Sequence, residues 1–257
     1  MTEFEYSLSS LKKFNDSAFV IRINNKEIKF TINENIKLWV SSCKANLINQ
    51  AEKIREKEFK QYDKASFLLI YYIYKFILSD FFSVIDYIRD HNLNILELGS
   101  GTGFFANILF QIFDGKINLN LVEVEKNEDH KSKFSLLDEN DLKLKEKNSV
   151  YPLKNLKEFI QINQINANIF SPDDIKKSSL KNINFVCSFR SYCFLYEIDE
   201  YSDFLKKSMA IDAKIICDVS KKFNQLERFK KEFFYKKTLG ENDNFARIYA
   251  MKNIISN

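Results

Sequence analysis

The stretch that decides the fold reads ILELGSGTG and runs from Ile95 to Gly103. A short apolar run is followed by three glycines within five positions, in a chain that has only 5 glycines among 257 residues. This order predicts a buried strand, a tight loop and the start of a helix. Glycine permits positive φ angles and lets backbone N–H groups approach a ligand, and a helix N-terminus favours negative charge. We therefore expect a small ligand with an anionic group at this loop.

Two details of the loop distinguish between candidate ligands. The spacing is G-x-G-x-G, and Phe104 stands where a dinucleotide-binding loop has its third glycine. Glu97 precedes the first glycine by two positions, where a carboxylate would repel a pyrophosphate and attract a ligand that carries an amino group and a sulfonium. This favours S-adenosylmethionine (SAM) over NAD. Glu125, at the end of the next apolar run, can accept both ribose hydroxyls, and Glu123, one pleat earlier, is the alternative.

These residues resemble the class I SAM-dependent methyltransferases. Residues 97–103 fit the family's first motif, E/D-x-G-x-G-x-G, in full, and residues 184–189 resemble its fourth strand with Asn184 in place of the usual aspartate. The resemblance covers about residues 63–251. It implies an α/β fold with a seven-stranded, mostly parallel sheet, an antiparallel C-terminal hairpin and SAM as cofactor. The cofactor-binding residues that it implies are Glu97, Gly99, Ser100, Gly101, Thr102, Gly103, Glu125, Asn168 and Ser188.

The remaining sequence pattern agrees with an α/β sheet. After residue 93, short apolar runs alternate with amphipathic segments, as in parallel sheets. Strands are predicted at 94–98, 118–125, 165–170, 184–189 and 213–218, and helices at 103–114, 127–137, 154–162, 199–209 and 222–231. Segments 233–239 and 245–251, joined by a short turn, predict an antiparallel pair that closes the sheet.

The first 90 residues are extra to such a sheet. Residues 1–16 indicate a partly helical leader, and period-two alternation over 18–32 predicts a hairpin that turns at Asn24 and Asn25. Helices are expected at 36–54, 63–78 and 79–89. We interpret residues 1–62 as an N-terminal hairpin and helical extension that covers the acceptor site, and residues 63–257 as the SAM-binding methyltransferase domain.

Composition excludes several classes of protein. The net charge of +4 is too small to indicate nucleic acid or an anionic membrane by itself. The four cysteines form no CxxC pair, which favours free thiols in a reducing compartment and no bound metal, although a divalent cation in catalysis is left open. The N-terminus lacks the apolar core of a signal peptide, and Lys75 and Asp80 interrupt the most apolar stretch. We expect a cytoplasmic protein with no membrane span, and a homodimer is possible.

The stretch after the fourth strand narrows the acceptor. It lacks the Asn/Asp-Pro-Pro-Tyr/Phe motif of adenine and glutamine N-methyltransferases and the Pro-Cys nucleophile of cytosine C5-methyltransferases. Arg190, Tyr192 and Tyr196 lie where the family places substrate-facing groups. Arg190 could bind a phosphate or carboxylate and a tyrosine could position a hydroxyl, with core packing as the alternative for the tyrosines. Asp218 is a candidate base or metal ligand and is equally well explained as a helix cap. His130 is a further candidate base, although a histidine in such a place is more often a surface helix residue.

The general plan is most similar to small bacterial sugar O-methyltransferases. That likeness implies a sugar hydroxyl as acceptor, on a nucleotide-linked sugar or a glycan precursor for surface polysaccharide. The alternative is a tRNA, rRNA or other nucleic-acid methyltransferase that uses residues 221–237, which contain seven basic and two acidic residues with interleaved aromatics. Nucleic acid is the less favoured partner, because a solvated helix face explains the same pattern. A third possibility is a SAM-binding protein without catalysis.

Overall fold

A computed structural model of the chain describes residues 12–15, 18–23, 25–43, 47–88, 93–125, 152–193 and 196–253. The described residues form the strands β1 (Lys12–Asn15), β2 (Ala18–Ile23), β3 (Lys26–Thr31), β4 (Asn94–Leu98), β5 (Asn118–Val122), β6 (Ala167–Phe170), β7 (Ile183–Ser188), β8 (Met209–Ser220), β9 (Phe234–Glu241) and β10 (Phe245–Met251). The helices are α1 (Glu34–Cys43), α2 (Ile48–Glu58), α3 (Lys64–Tyr87), α4 (Phe104–Ile112), α5 (Pro152–Ile162), α6 (Pro172–Lys177), α7 (Asp199–Ser208) and α8 (Gln225–Glu232).

The main sheet has seven strands in the order β6-β5-β4-β7-β8-β10-β9. β4 pairs in parallel with β5 and β7, β5 with β6, and β7 with β8, while β10 is antiparallel to both β8 and β9. Strand order reverses between β4 and β7, and ligands of open α/β sheets bind at such a point, beyond the carboxyl ends of the strands. The predicted seven-stranded, mostly parallel sheet with its antiparallel C-terminal hairpin is confirmed.

The N-terminal residues form a separate three-stranded antiparallel sheet in the order β1-β2-β3. The predicted hairpin over 18–32 is present, and Asn25 takes the positive φ of 66° that its turn requires. The expectation of a partly helical leader was wrong for residues 12–15, because they pair with β2 as a third strand. Of the predicted turn residues, Asn24 lies outside the described residues.

The helices before the main sheet differ from the prediction in their boundaries. The helix expected over 36–54 is two helices, α1 and α2. The helices expected at 63–78 and 79–89 are one, α3, which begins after the cap Asp63 and contains a π-helical segment, Ile73–Ile77. Asp80 does not start a new helix, because its carboxylate is buried in ion pairs with two arginines.

By length and composition alone, α3 is long and apolar enough to cross a membrane. The sequence prediction had excluded a span because charges interrupt this stretch. In the structure, 67% of the most apolar window of α3 is buried inside the protein. The helix therefore packs as a core element, against α1, α2 and α4.

The other differences lie at element ends. The second strand of the main sheet ends at Val122 rather than at residue 125, and the Glu123 N–H donates to the Phe170 carbonyl as the chain leaves the sheet. The sequence prediction missed α6, whose cap is Ser171 accepting from the Asp174 N–H. The helix expected at 127–137 lies outside the described residues.

Two hydrophobic clusters cover the two faces of the main sheet. One joins the N-terminal strands, α3, α4 and α5 to the sheet, and the other joins α7 and α8 to it. The backbone of β3 is also tied to the helices, since the Lys29 N–H donates to Gln111 and the Thr31 N–H donates to Asn163. The expected boundary between residues 62 and 63 runs through the first cluster. The division into two domains stays a prediction.

Candidate cofactor site and acceptor cleft

The glycine loop lies at the carboxyl end of β4 and leads into α4. Gly99, Gly101 and Gly103 have φ angles of 77°, 56° and 82°, which residues other than glycine rarely adopt. The N–H groups of Gly99 and Ser100 donate to the Val122 carbonyl at 2.9 and 3.0 Å, so the loop is fixed to the end of β5. The loop therefore presents backbone at the point where the strand order reverses.

Glu97 lies buried beneath this loop. Its Oε2 accepts no hydrogen bond within the part of the chain that the structure describes. Burial raises the pKa of Glu97 well above its usual range, and the negative charges of Glu123 and Asp80 raise it further. A buried carboxyl group without a donor is costly, and a ligand that brings a cationic N–H group would relieve this cost.

Glu123 directly follows β5 and contacts the glycine loop. Its Oε2 accepts the Gly101 N–H at 2.6 Å, and its Oε1 accepts the Val124 N–H at 2.9 Å. Glu125 is exposed and lies beyond the strand end. Of the two acids, Glu123, which the sequence analysis named as the alternative to Glu125, is therefore the one that contacts the loop. The signal was in the sequence, because the apolar run NLNLV ends one residue before Glu123.

The side chains of three other expected cofactor-binding residues, Ser100, Ser188 and Asn168, form hydrogen bonds within the protein. Ser100 and Thr102 are buried in the loop, and the Ser100 hydroxyl donates to the Glu97 carbonyl at 3.1 Å. The Ser188 hydroxyl donates to the Leu98 carbonyl and accepts the Tyr192 N–H, so it joins β7 to β4. Asn168 sits two residues before the end of β6 and donates to Asn120 on β5. It is therefore set back from the edge that carries the loop.

The two tyrosines that were candidate substrate-facing groups are buried. Tyr192 is fully buried and donates its hydroxyl to the Ile198 carbonyl at 2.7 Å. Tyr196 packs edge-on against Tyr201, and burial, followed by the charge of Glu123, raises its pKa. Tyr192 is therefore a core residue, as the alternative of core packing had it. Tyr196 lies near enough to Glu123 for that charge to raise the pKa of its hydroxyl. His130 lies outside the described residues.

Asp218 and Arg190 belong to one network of charged side chains. Arg247 donates to Asp218 from Nε at 2.7 Å and from Nη2 at 3.0 Å, and its Nη2 also donates to Asp80 at 2.8 Å. The Arg247 Nη1 donates to the Ser83 hydroxyl, and Arg190 pairs with the other oxygen of Asp80. Sequence reasoning missed Asp80 and Arg247, because they are 167 residues apart and only the fold joins them. Asp218 is therefore bound by an arginine and is not placed as a free base.

Arg190 is the exposed end of this network. Its side chain is 30% exposed, and its guanidinium lies 5.3 Å from the ring centre of Phe76 on α3. The next residue, Ser191, is so close to Gly99 that a Cβ there would meet its hydroxyl at 2.0 Å. The loop after β7 therefore contacts both α3 and the glycine loop, and we refer to the region where the three meet as the cleft.

The part of the basic face that lies on β9 is away from this cleft, whereas Lys221 follows the carboxyl end of β8, where the Ser220 N–H donates to the Cys193 carbonyl in the loop after β7. β9 is four strands from β4, which is about 19 Å at the usual strand spacing. Tyr235 has Lys230 of α8 over its ring, while Lys237 lies over Tyr87 at the end of α3. The aromatic and basic groups thus divide between the two faces of the sheet. Within the described part of the chain, Lys221, Arg228 and Lys230 of this face are also ion-paired.

No group of three histidine, cysteine, aspartate or glutamate side chains able to hold a metal ion occurs among the described residues. Cys187, Cys193 and Cys217 are free and buried. Burial raises the pKa of the Cys187 and Cys217 thiols, which keeps them protonated. These thiols are core groups and do not form a nucleophilic site.

No protein-family model matches the chain, and no curated protein sequence matches it. Among solved structures, it is similar to a methyltransferase from Pyrococcus furiosus, with 14% identity over 70% of this chain and 85% of that one and a TM-score of 0.48. A SAM-dependent methyltransferase from Aquifex aeolicus has 14% identity over 68% of this chain and 90% of that one, with a TM-score of 0.47.

A third similar structure is the T. thermophilus 16S rRNA N2 G1207 methyltransferase in complex with AdoMet and guanosine. It has 11% identity over 92% of this chain and 50% of that one, with a TM-score of 0.46. At such identities and TM-scores these likenesses do not identify an activity, a substrate or catalytic residues. The function has to be argued from the site itself.

Proposed function

We propose that this protein is a SAM-dependent methyltransferase. The observation that carries the proposal is the unpartnered, buried Oε2 of Glu97 beneath a glycine loop whose Gly101 N–H is bound by Glu123. Two carboxylates at a glycine loop suit a ligand that is cationic at one end and carries vicinal hydroxyls at the other. They do not suit a pyrophosphate, because Glu123 already occupies the N–H that a phosphate would need.

The groups of SAM fit the residues present. The ammonium of its methionine part can donate to Glu97, which has no other donor for Oε2 among the described residues. Its ribose hydroxyls can donate to Glu123, because this carboxylate lies at the glycine loop and a carboxylate oxygen can accept more than one hydrogen bond. We assign the ribose to Glu123 ahead of Glu125, because Glu125 is exposed and lies beyond the strand end.

The chemistry that SAM supplies when bound is an electrophilic methyl group. The chain's own residues bind and orient the two reactants and exclude water, which is the main contribution an enzyme makes to an in-line displacement. The buried loop, with Thr102 and Phe104 both inaccessible, provides a dry wall on the cofactor side. The loop after β7 and α3 form the opposite wall, where the acceptor would lie.

We propose a sugar hydroxyl, on a nucleotide-linked sugar or glycan precursor, as the acceptor. The proposal is supported by the missing base-methyltransferase motifs after β7. A hydroxyl acceptor needs its proton removed, and the proposed base is His130. Tyr192 and Asp218 are less suited, since the hydroxyl of the first and the carboxylate of the second are already bound. The buried free thiols suit a cytoplasmic location.

The nucleic-acid alternative requires contacts beyond the cleft. A nucleic acid with its base in the cleft would have to extend about 19 Å across the sheet to reach β9. Sugar transfer requires no contact beyond the cleft.

The test is release of S-adenosylhomocysteine (SAH) from purified protein supplied with SAM. Parallel reactions contain a pool of nucleotide-activated sugars or bulk tRNA, each with and without EDTA. We expect turnover with the sugar pool and none with tRNA, and reduced turnover by the Glu123→Gln variant at subsaturating SAM. Turnover with tRNA alone would refute the sugar acceptor while leaving the methyltransferase activity standing. A loss of turnover with EDTA would show that a divalent cation takes part.

A further inference from the structure

Arg190 has hydrogen-bond donors that the protein does not use. A guanidinium has five N–H donors, and among the described residues only Nη2 of Arg190 has a partner, the Oδ2 of Asp80. The face of the guanidinium lies over the Phe76 ring at 5.3 Å. The group is thus held in orientation from two sides, and 30% of the Arg190 side chain is exposed.

The Asp80 carboxylate that holds Arg190 is itself fixed. It is buried on α3 and shared with Arg247, which also binds Asp218 through two donors. Burial acts to raise the pKa of Asp80, and the charges of Arg190 and Arg247 act against it. This network contains two arginines and two aspartates. Arg247 donates to both carboxylate oxygens of Asp218 and to one oxygen of Asp80. Arg190 is left with a share of Asp80 and the open edge of the cleft.

This open edge belongs to the cofactor cleft. Asp80 is near enough to Glu97 for its charge to raise the pKa of Glu97. Ser191, the neighbour of Arg190, lies against Gly99 of the glycine loop. A ligand bound at the loop and reaching toward α3 would therefore pass the free donors of Arg190.

We propose that Arg190 forms an anion-binding subsite of this cleft, which takes a carboxylate or phosphate of a bound ligand. Asp80 acts as its positioning residue. Arginine suits this role, because its planar fork binds carboxylate and phosphate through two parallel hydrogen bonds. Two sources can supply the anion: the carboxylate of the cofactor's methionine part, or an acidic or phosphorylated acceptor. The proposal rests on the proposed function for the identity of these ligands.

The first arm of the test measures binding of SAH and of 5′-methylthioadenosine, which lacks the amino-acid part, by calorimetry. The variants are Arg190→Gln and Arg190→Lys, where the lysine keeps a charge beside Asp80 but loses the fork. Arg228→Gln is the matched control, because Arg228 is 32% exposed and also paired with acids, but lies on α8. If Arg190 binds the cofactor, R190Q weakens SAH binding about 10- to 100-fold, as for loss of a charged hydrogen bond, and leaves 5′-methylthioadenosine unchanged.

The second arm titrates inorganic phosphate into the free protein and into its SAH complex. If Arg190 binds the acceptor, R190Q abolishes phosphate binding, R190K weakens it, and SAH affinity stays at the wild-type value. Equal behaviour of R190Q and R228Q toward SAH and phosphate would overturn the inference. Absence of SAH binding by the wild-type protein would instead refute the proposed function, and the phosphate titration of the free protein would still decide the role of Arg190. Melting temperatures of the variants exclude unfolding as the cause of a loss.

Discussion

Glu97 is the single residue that most constrains what the site can bind. Its carboxyl group is buried, its Oε2 has no donor in the described part of the chain, and two further carboxyl groups, on Glu123 and Asp80, lie close by. A structural carboxyl group in such a place would normally be bound by a donor. The arrangement is understandable if a ligand completes it.

Replacing Glu97 by glutamine is expected to weaken SAH binding by about 10- to 100-fold, since a charged hydrogen bond is replaced by a neutral one. The ligand's ammonium favours the ionised form of Glu97, so binding to the wild type releases a proton and affinity rises with pH. Calorimetry in two buffers of different ionisation enthalpy measures this release. The same proton release in E97Q as in the wild type would contradict the assignment.

The stability of the unliganded protein provides the matching control. The native state keeps the Glu97 proton above pH 4.3, the usual pKa of glutamate, whereas the unfolded state loses it. The contribution of Glu97 to stability is therefore fully present below that pH and is lost as the pH rises through the raised native pKa. We expect E97Q to melt above the wild type at pH 8, and the difference to vanish in acid.

The two acids after β5 can be separated by a pair of variants. Glu123→Gln should weaken SAH binding by about 1–3 kcal/mol, the scale of losing charged hydrogen bonds, and Glu125→Gln should leave it near the wild-type value. The two substitutions make the same chemical change two residues apart, so one serves as the control for the other. A larger loss in E125Q than in E123Q would restore the sequence-based assignment of the ribose to Glu125.

At the scale of elements, the glycine loop depends on its close approach to the loop after β7. Gly99→Ala would place a Cβ 2.0 Å from the Ser191 hydroxyl at a φ of +77°, so both packing and backbone oppose it. Gly240→Ala, in β9, meets no atom within 4 Å. We expect G99A to lose SAH binding and melt lower, and G240A to match the wild type. Adding Ser191→Gly to G99A should restore part of the stability, and no recovery would show that the φ angle alone is limiting.

The network that joins α3, β8 and β10 should matter for stability as well as for the cleft. Asp80→Asn removes the buried negative charge that pairs with Arg190 and Arg247. We expect this substitution to lower the free energy of unfolding by about 3–5 kcal/mol. Asp199→Asn removes an exposed ion pair with Arg228 and should cost at most about 1 kcal/mol. Denaturant titration compares the two. Equal losses would mean that the network does not anchor α3 to the sheet.

At the scale of the whole molecule, local patterns predicted the sheet well and long-range pairings poorly. The nine residues ILELGSGTG contain the patterns of a strand, a loop and the start of a helix. The first strand of the main sheet, β4, is therefore predicted from Asn94 to Leu98, as observed. β1 was missed because a four-residue strand has no pattern of its own and depends on β2. The break between α1 and α2 and the fusion that makes α3 also depend on packing, since Asp80 is a good cap in sequence but a buried ion-pair partner in the fold.

The candidate site divides in the same way. The glycine loop and its acid could be read from the sequence, because all their atoms come from adjacent residues. The environment of Arg190 could not, because Phe76 and Asp80 reach it from more than a hundred residues away. Asp218 and Tyr192 were chosen for their place after strands, and their partners Arg247 and Ile198 became visible only in three dimensions.

The central claim is that the glycine loop binds SAM, and direct titration tests it most simply. Calorimetry of the purified full chain with SAH, and separately with NAD, requires no knowledge of the acceptor. We expect saturable one-to-one binding of SAH, competition by SAM and no binding of NAD. We also expect weaker SAH binding in both E97Q and E123Q. Binding of NAD with no binding of SAH, or SAH binding that neither substitution weakens, would contradict it.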